Sequence, residues 1–200
     1  FREALRYNVD MIECDVQVTR DGQLVVVHDR GTRRVGSKRR KVRKSTAAEL
    51  QAMDVGKKFD PLFTGEKIPL LSDVIQLVGH QALLNIELKG SFRGKEKEAL
   101  QQIQAGGIYH SAIIASDNKR LLRKIRQLDS HIKLSYIVNK LQARYISFGQ
   151  EVQLYSFQPH RSLITKRFVR HCHQHHFKVF PWTINTMKGM IKYINWGVDG

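Results

Sequence analysis

Most of what would set this sequence apart from an ordinary globular enzyme is missing from it. It has two cysteines in 200 residues, Cys14 and Cys172, too few and too far apart for the disulfide framework of a small secreted domain. Such sparing use of cysteine fits a reducing compartment, so a cytoplasmic setting is expected over a secreted one. No apolar run approaches the roughly 18–20 residues of a membrane-spanning helix. No Lys/Arg-led signal segment is visible, and any targeting stretch ahead of Phe1 would lie outside these residues. Internal repeats and low-complexity linkers are absent too. Residues 30–44 lack both acids and aromatics while holding nine Lys or Arg, more than half of the net charge of +16 that gives the chain a pI near 10.1. Without interleaved aromatics the run has no stacking platform for single-stranded nucleic acid. Its plainest reading is a solvated, mobile loop. Attraction of an anionic substrate or lipid surface comes next, and nucleic acid is the least expected partner.

What is present reads as one α/β domain. A hydrophobic content of 42% is enough for a sizeable core, and the length suits one domain better than two. Strand-like stretches at 11–18, 83–88, 112–115, 133–138, 151–155 and 178–183 alternate with helical periodicity at 96–104, 119–128, 161–175 and 187–195. That alternation argues for parallel strands with helices outside. Asp117, Ser156 and Thr183 fall just past expected strand ends, where such folds place functional groups. Residues ~16–70 break the rhythm and read as an insertion. A hairpin over 16–27 turns at Arg20-Asp21-Gly22, the basic run follows, and Thr46 with Glu49 has the spacing of a helix capping box. Phe1 to Tyr7 reads as the last turns of a helix, and the strands fall short of a closed eight-stranded barrel.

The chemistry begins with Glu13 and Asp15, which lie two apart on the first strand and so project from the same face. Two carboxylates side by side repel and resist desolvation, a conflict that a hard divalent cation would resolve. Asn85, Glu87 and Lys89 share one face of the strand at 83–88, so Glu87 can complete a three-carboxylate metal site. Lys89 is then placed to meet an anionic group; the competing reading is a solvent-facing ion pair on an edge strand. His28 ends the apolar run from Leu24, where it can serve as a general acid or base or simply be structural. His171 and His175, one helical turn apart, could bind a borderline metal, but a helix end favoured by its dipole is the simpler account.

In order along the chain stand Glu13-x-Asp15-Val16-Gln17, Thr19-x-Asp21-Gly22, Val25-Val26-x-His28-Asp29, Ile68-Pro69-x-Leu71, Asn85-Ile86-Glu87-x-Lys89 and Pro181-Trp182-Thr183-x-Asn185. This succession resembles the glycerophosphodiester phosphodiesterases from residue 1 to residue 200. The resemblance implies a TIM (β/α)8 barrel with an insertion after its second strand. It places the family's first strand, with a second catalytic histidine and a phosphate-binding arginine, ahead of Phe1 and its last strand after Gly200. It also implies Mg²⁺ or Ca²⁺ at Glu13, Asp15 and Glu87, catalysis by His28, a phosphate contact by Lys89, and substrate contact by Trp182, which could otherwise be a core residue. Arg34 stands where the family has an arginine after His-Asp. The implied activity is metal-dependent hydrolysis of small-molecule glycerophosphodiesters to sn-glycerol 3-phosphate and an alcohol. The alternatives are an inactive fragment or binding module of the same fold, or a related barrel phospholipase acting on lysophospholipids. Ile68-Pro69-Leu70-Leu71 in the insertion argues against the last.

Overall fold

The computed structural model describes residues 1–36, 38–140 and 144–200; Ser37, inside the basic run, and residues 141–143 lie outside the described residues. The chain forms two compact units, Phe1–Ile113 and Ile114–Gly200. Strands and helices alternate in both, and the strands that follow one another across a helix pair in parallel, the α/β arrangement of a TIM barrel.

In the first unit, a short helix α1 (Arg2–Arg6) leads into β1 (Met11–Val18). β1 pairs antiparallel with β2 (Leu24–Val26) and parallel with β3 (Leu83–Leu88). The antiparallel pair is the expected hairpin, in register from Val16 opposite Val26 to Val18 opposite Leu24. Its turn closes because Gly22 adopts a φ of +81°, a value that suits glycine. Asp21 then reaches from the turn to accept the Ala47 N–H at 3.1 Å, tying the hairpin to α2 (Ala47–Gln51). The expected capping box is present on that helix: Thr46 Oγ1 accepts from the Glu49 N–H at 3.1 Å, and the Glu49 carboxylate accepts from the Thr46 N–H at 2.9 Å. Val25, Val27, Val42, Ala47, Leu50, Met53 and Ile68 close a core of their own within residues 25–68. α3 (Leu71–Val78) and α4 (Glu96–Ala105) bury Leu71, Val74, Ile75, Val78, Ala99, Leu100 and Ile103.

The basic run is more ordered than a bare loop. Gly31 bridges Lys41, the Thr32 N–H donates to the Arg40 carbonyl at 3.0 Å, and the Val42 N–H donates to Arg30 at 3.1 Å. Thr32 is fully buried at the centre of this ladder, while Arg33, Lys38, Arg39, Lys41, Arg43 and Lys44 face solvent. Solvation of the charges is thus as expected, but the backbone beneath them is hydrogen-bonded.

β4 (Ala112–Ser116) carries the chain into the second unit, which holds α5 (Lys119–Leu128), β5 (Lys133–Val138), α6 (Tyr145–Glu151), β6 (Ser156–Pro159), α7 (Lys166–Gln174), β7 (Lys178–Val179) and α8 (Met187–Ile194). β6 lies between β5 and β7, parallel to both. Three expectations shift here, the first being the strand read at 178–183, which ends at Val179. The strand read at 151–155 starts at Ser156 instead: Glu151 ends α6, and Gln153 takes a φ of +48° as the chain turns. Ser156 is therefore not a residue past a strand end but the buried first residue of β6, its hydroxyl donating to Ser135 Oγ at 2.7 Å. The helix read at 161–175 begins at Lys166, because Thr165 caps it through the Phe168 N–H at 3.0 Å while the Arg161 N–H bonds the Trp182 carbonyl at 2.7 Å.

Candidate active site

β1 and β3 build the centre of the site through their register. Glu13 lies opposite Asn85, and Asp15 lies opposite Glu87. Alternation along both strands sends Cys14, Val16, Leu84, Ile86 and Leu88 into the core on the other face, all of them buried. The polar faces are left together, and one carboxylate oxygen from each of Glu13, Asp15 and Glu87 lies within 4.8 Å of the other two. Lys89, from the same face of β3, places Nζ 2.8 Å from Asp15 Oδ1 and 3.7 Å from Glu87 Oε1. Glu87 and Lys89 are thus part of the carboxylate cluster, and the reading of an isolated ion pair on an edge strand is set aside.

The electrostatics of this cluster are those of a site short of positive charge. Burial in the first place, and then the charges of Asp15 and Glu87, raise the Glu13 carboxyl to about 7 despite the nearby ammonium of Lys89. Three hard oxygen donors converging on one point, with Lys89 beside them, fit a divalent cation of the Mg²⁺ or Ca²⁺ kind. On the hidden face, burial pushes the Cys14 thiol up, and burial lifts Cys172 to about 12, so neither offers a thiolate nucleophile.

Two contacts tie the backbone around His28 to the strand that carries Glu13 and Asp15. The Val27 N–H donates to the Asp15 carbonyl at 2.8 Å, continuing the hairpin to the residue before His28. Gln17, on the carboxylate face of β1 and only 8% exposed, points its amide nitrogen at three successive carbonyls: Val27 at 2.8 Å, His28 at 3.0 Å and Asp29 at 2.9 Å. Gln17 was not singled out from the sequence. Its signal was there, since 13, 15 and 17 follow the period of two that aligned the carboxylates. The His28 ring is held in turn by its neighbour, with Nδ1 2.6 Å from Asp29 Oδ1. Arg34 Nε donates to the other Asp29 oxygen at 2.7 Å, and this hydrogen bond, joined by that of His28, pulls the Asp29 carboxyl down to about 2. An ionised carboxylate only accepts, so Nδ1 carries a proton and Nε2 is the nitrogen that can exchange one. The imidazole is 60% exposed in side-chain surface, open to a ligand.

Trp182 belongs to the second unit. Its indole N–H donates to the Gln158 carbonyl at 3.0 Å, and its ring meets His160 edge-on at 4.9 Å between centroids. At 37% exposed, it is not a core tryptophan. His171 and His175 stack edge-on at 5.0 Å, with His175 Nδ1 3.4 Å from the Gln150 amide. They belong to the end of α7, in keeping with the simpler account. Asp117 directly follows β4 as expected, whereas Thr183 lies four residues beyond the end of β7 at Val179.

Known proteins resemble this chain along its whole length. The model of the glycerophosphoryl diester phosphodiesterase family matches residues 1–200. A glycerophosphodiester phosphodiesterase of Caldanaerobacter subterraneus subsp. tengcongensis is 32% identical over 204 residues, covering 100% of this chain and 84% of the relative. Among solved structures, a phosphodiesterase of Oleispira antarctica in complex with the product sn-glycerol-3-phosphate superposes with a TM-score of 0.88 at 24% identity, over 98% of this chain and 82% of its own. A glycerophosphodiester phosphodiesterase of Agrobacterium tumefaciens gives a TM-score of 0.86 at 18% identity, over 99% of this chain and 85% of its own.

Proposed function

This chain belongs to the glycerophosphoryl diester phosphodiesterase family of phosphoric diester hydrolases, and from that premise we propose that it hydrolyses glycerophosphodiesters to sn-glycerol 3-phosphate and an alcohol, with a divalent cation held by Glu13, Asp15 and Glu87. The observation that carries the metal reading is the convergence of those carboxylates within 4.8 Å of one another. A phosphodiester is an anion and repels hydroxide, so the site must supply positive charge and move protons on either side of phosphorus. When bound, Mg²⁺ or Ca²⁺ supplies Lewis-acid stabilisation of the phosphoryl oxygens. Lys89 contributes a second cation within reach of the same oxygens. Nε2 of His28 transfers the proton on one side of phosphorus, while Asp29 keeps the ring turned and Nδ1 protonated. Arg34 holds Asp29 ionised, and Gln17 holds the backbone that carries both His28 and Asp29.

The test is release of sn-glycerol 3-phosphate from glycerophosphocholine, with Mg²⁺ or Ca²⁺ and after chelation. Turnover is expected to require the cation. Glu13→Ala is expected to lower it by two orders of magnitude or more, on the order of other losses of transition-state charge stabilisation. Unchanged turnover in Glu13→Ala overturns the metal assignment, and turnover that persists after chelation overturns metal dependence. Binding of glycerophosphocholine without product release points to a binding module of the same fold.

A further inference from the structure

The insertion carries an apolar tip that the site above does not use. Phe59 is 84% exposed and Leu62 is 90% exposed, with Phe63 beside them, its ring 5.6 Å from that of Phe59. These side chains are held outward by a built scaffold. The Asp54 carboxylate accepts the N–H groups of Gly56, Lys57 and Gly65, each at 2.9 Å. Asp60 caps the 3₁₀ turn Pro61–Phe63 through the Leu62 N–H at 2.9 Å, and the Val55 N–H closes the base on the Glu66 carbonyl at 2.8 Å. Gly56 lies so close beneath the turn that an added Cβ would overlap the Phe63 carbonyl. Large apolar side chains fixed in water at the end of a hydrogen-bonded turn are an unfavourable arrangement unless something covers them.

The charge around the tip selects what covers it. Residues 30–68 hold twelve Lys or Arg against four acids. Two of those acids, Asp54 and Asp60, are taken up by backbone N–H groups, and a third, Glu49, caps α2 and pairs with Arg40 at 3.2 Å. Tip and basic run are joined directly, because Lys58, next to Phe59, donates from Nζ to the Arg33 carbonyl at 2.6 Å. We propose that this part of the insertion docks the protein on an anionic phospholipid surface, with Phe59 and Leu62 entering the interface and the cations of residues 33–44, together with Lys57 and Lys58, meeting the headgroups. Neither signal suffices alone: a few apolar side chains or a polybasic patch each give marginal attachment, and the two combined give a stable one. A nucleic acid fits less well, since the cations of residues 30–44 have no aromatic among them on which a base could stack.

The proposal goes beyond the hydrolytic reading, and its test reads no hydrolysis. The purified protein is sedimented with phosphatidylcholine vesicles that contain or lack phosphatidylglycerol. Binding is expected only to the phosphatidylglycerol vesicles, weakening as salt is raised. The double substitution Phe59→Ser/Leu62→Ser is expected to weaken it about tenfold or more while leaving the melting temperature near wild type, since both side chains are in solvent. Lys38→Gln/Lys41→Gln tests the charge arm and is expected to weaken binding less. Failure to bind the anionic vesicles, or equal binding by the apolar variant, overturns the proposal. Binding to a DNA duplex that the lysine substitutions abolish and the apolar ones spare, without vesicle binding, reassigns the surface to nucleic acid. Self-association abolished by Phe59→Ser/Leu62→Ser, without vesicle binding, reassigns it to a second copy of the chain.

Discussion

Glu13 holds the unresolved charge of the site, and this gives a pH dependence of known sign. Unfolded, its carboxyl titrates at the ordinary 4.5; folded, burial and the neighbouring carboxylates raise it to about 7. The folded protein therefore holds this proton more tightly, and the stability it contributes is full below pH 4.5 and lost as the pH rises through about 7. In the absence of divalent cations, the melting temperature is expected to fall across that interval more steeply than in Glu13→Gln. Parallel profiles for the two proteins would remove Glu13 as the group responsible. Gln17 makes a different prediction. Gln17→Ala leaves the buried Val27 carbonyl, and the part-buried ones of His28 and Asp29, short of a donor, a cost of about 1–3 kcal/mol to be read from urea unfolding. Because Gln17 positions His28 and Asp29 rather than touching substrate, the same variant is expected to lose kcat about tenfold with little change in KM. A change confined to KM would place Gln17 on the substrate instead. The three carboxylates, Lys89 and His28 could be picked out from residue type and spacing alone, since a period of two decides which side chains share a face. Gln17 shares that period, but its contacts across the hairpin, like the pairing of Asp29 with His28 and Arg34, come from the folded backbone.

At the scale of elements, short-range rules placed most boundaries. The helix at Lys119–Leu128 and the strands Leu83–Leu88 and Lys133–Val138 are where periodicity put them, because the helix buries one apolar face and the strands bury nearly their whole runs. Thr46→Ala, which removes one half of the capping box on α2, is expected to cost about 1 kcal/mol by chemical denaturation. No loss at all would mean that the Asp21 contact to Ala47 holds that helix end by itself. The misplaced strand has a physical cause. Val152 and Leu154 alternate with polar Glu151 and Gln153 as in a strand, yet both are buried at the end of α6 and in the turn beyond it. Burial from a helix end and burial from a strand leave the same local pattern, and the pairing of Ser156 with Ser135 across β5 and β6 decides between them.

At the scale of the whole molecule, the two cysteines report on integrity. Both are buried, and burial keeps both thiols protonated. The native protein is expected to resist alkylation by a maleimide and to take up label on both thiols only on unfolding, followed by mass spectrometry. Rapid labelling of the native protein would contradict that burial. The sequence by itself determined the α/β class, the hairpin, the capping box, the family and the identity of the carboxylates, because these depend on residue type and on periods of two and 3.6 between near neighbours. Tertiary structure decided the rest. It set Asp15 opposite Glu87 across a register that joins residues far apart in the chain, and it put Lys89 against both. It also stiffened the basic run around a buried threonine and turned Phe59 and Leu62 out into water beside it. Such outcomes rest on long-range pairing and on what each side chain is left facing, and neither is written in local spacing.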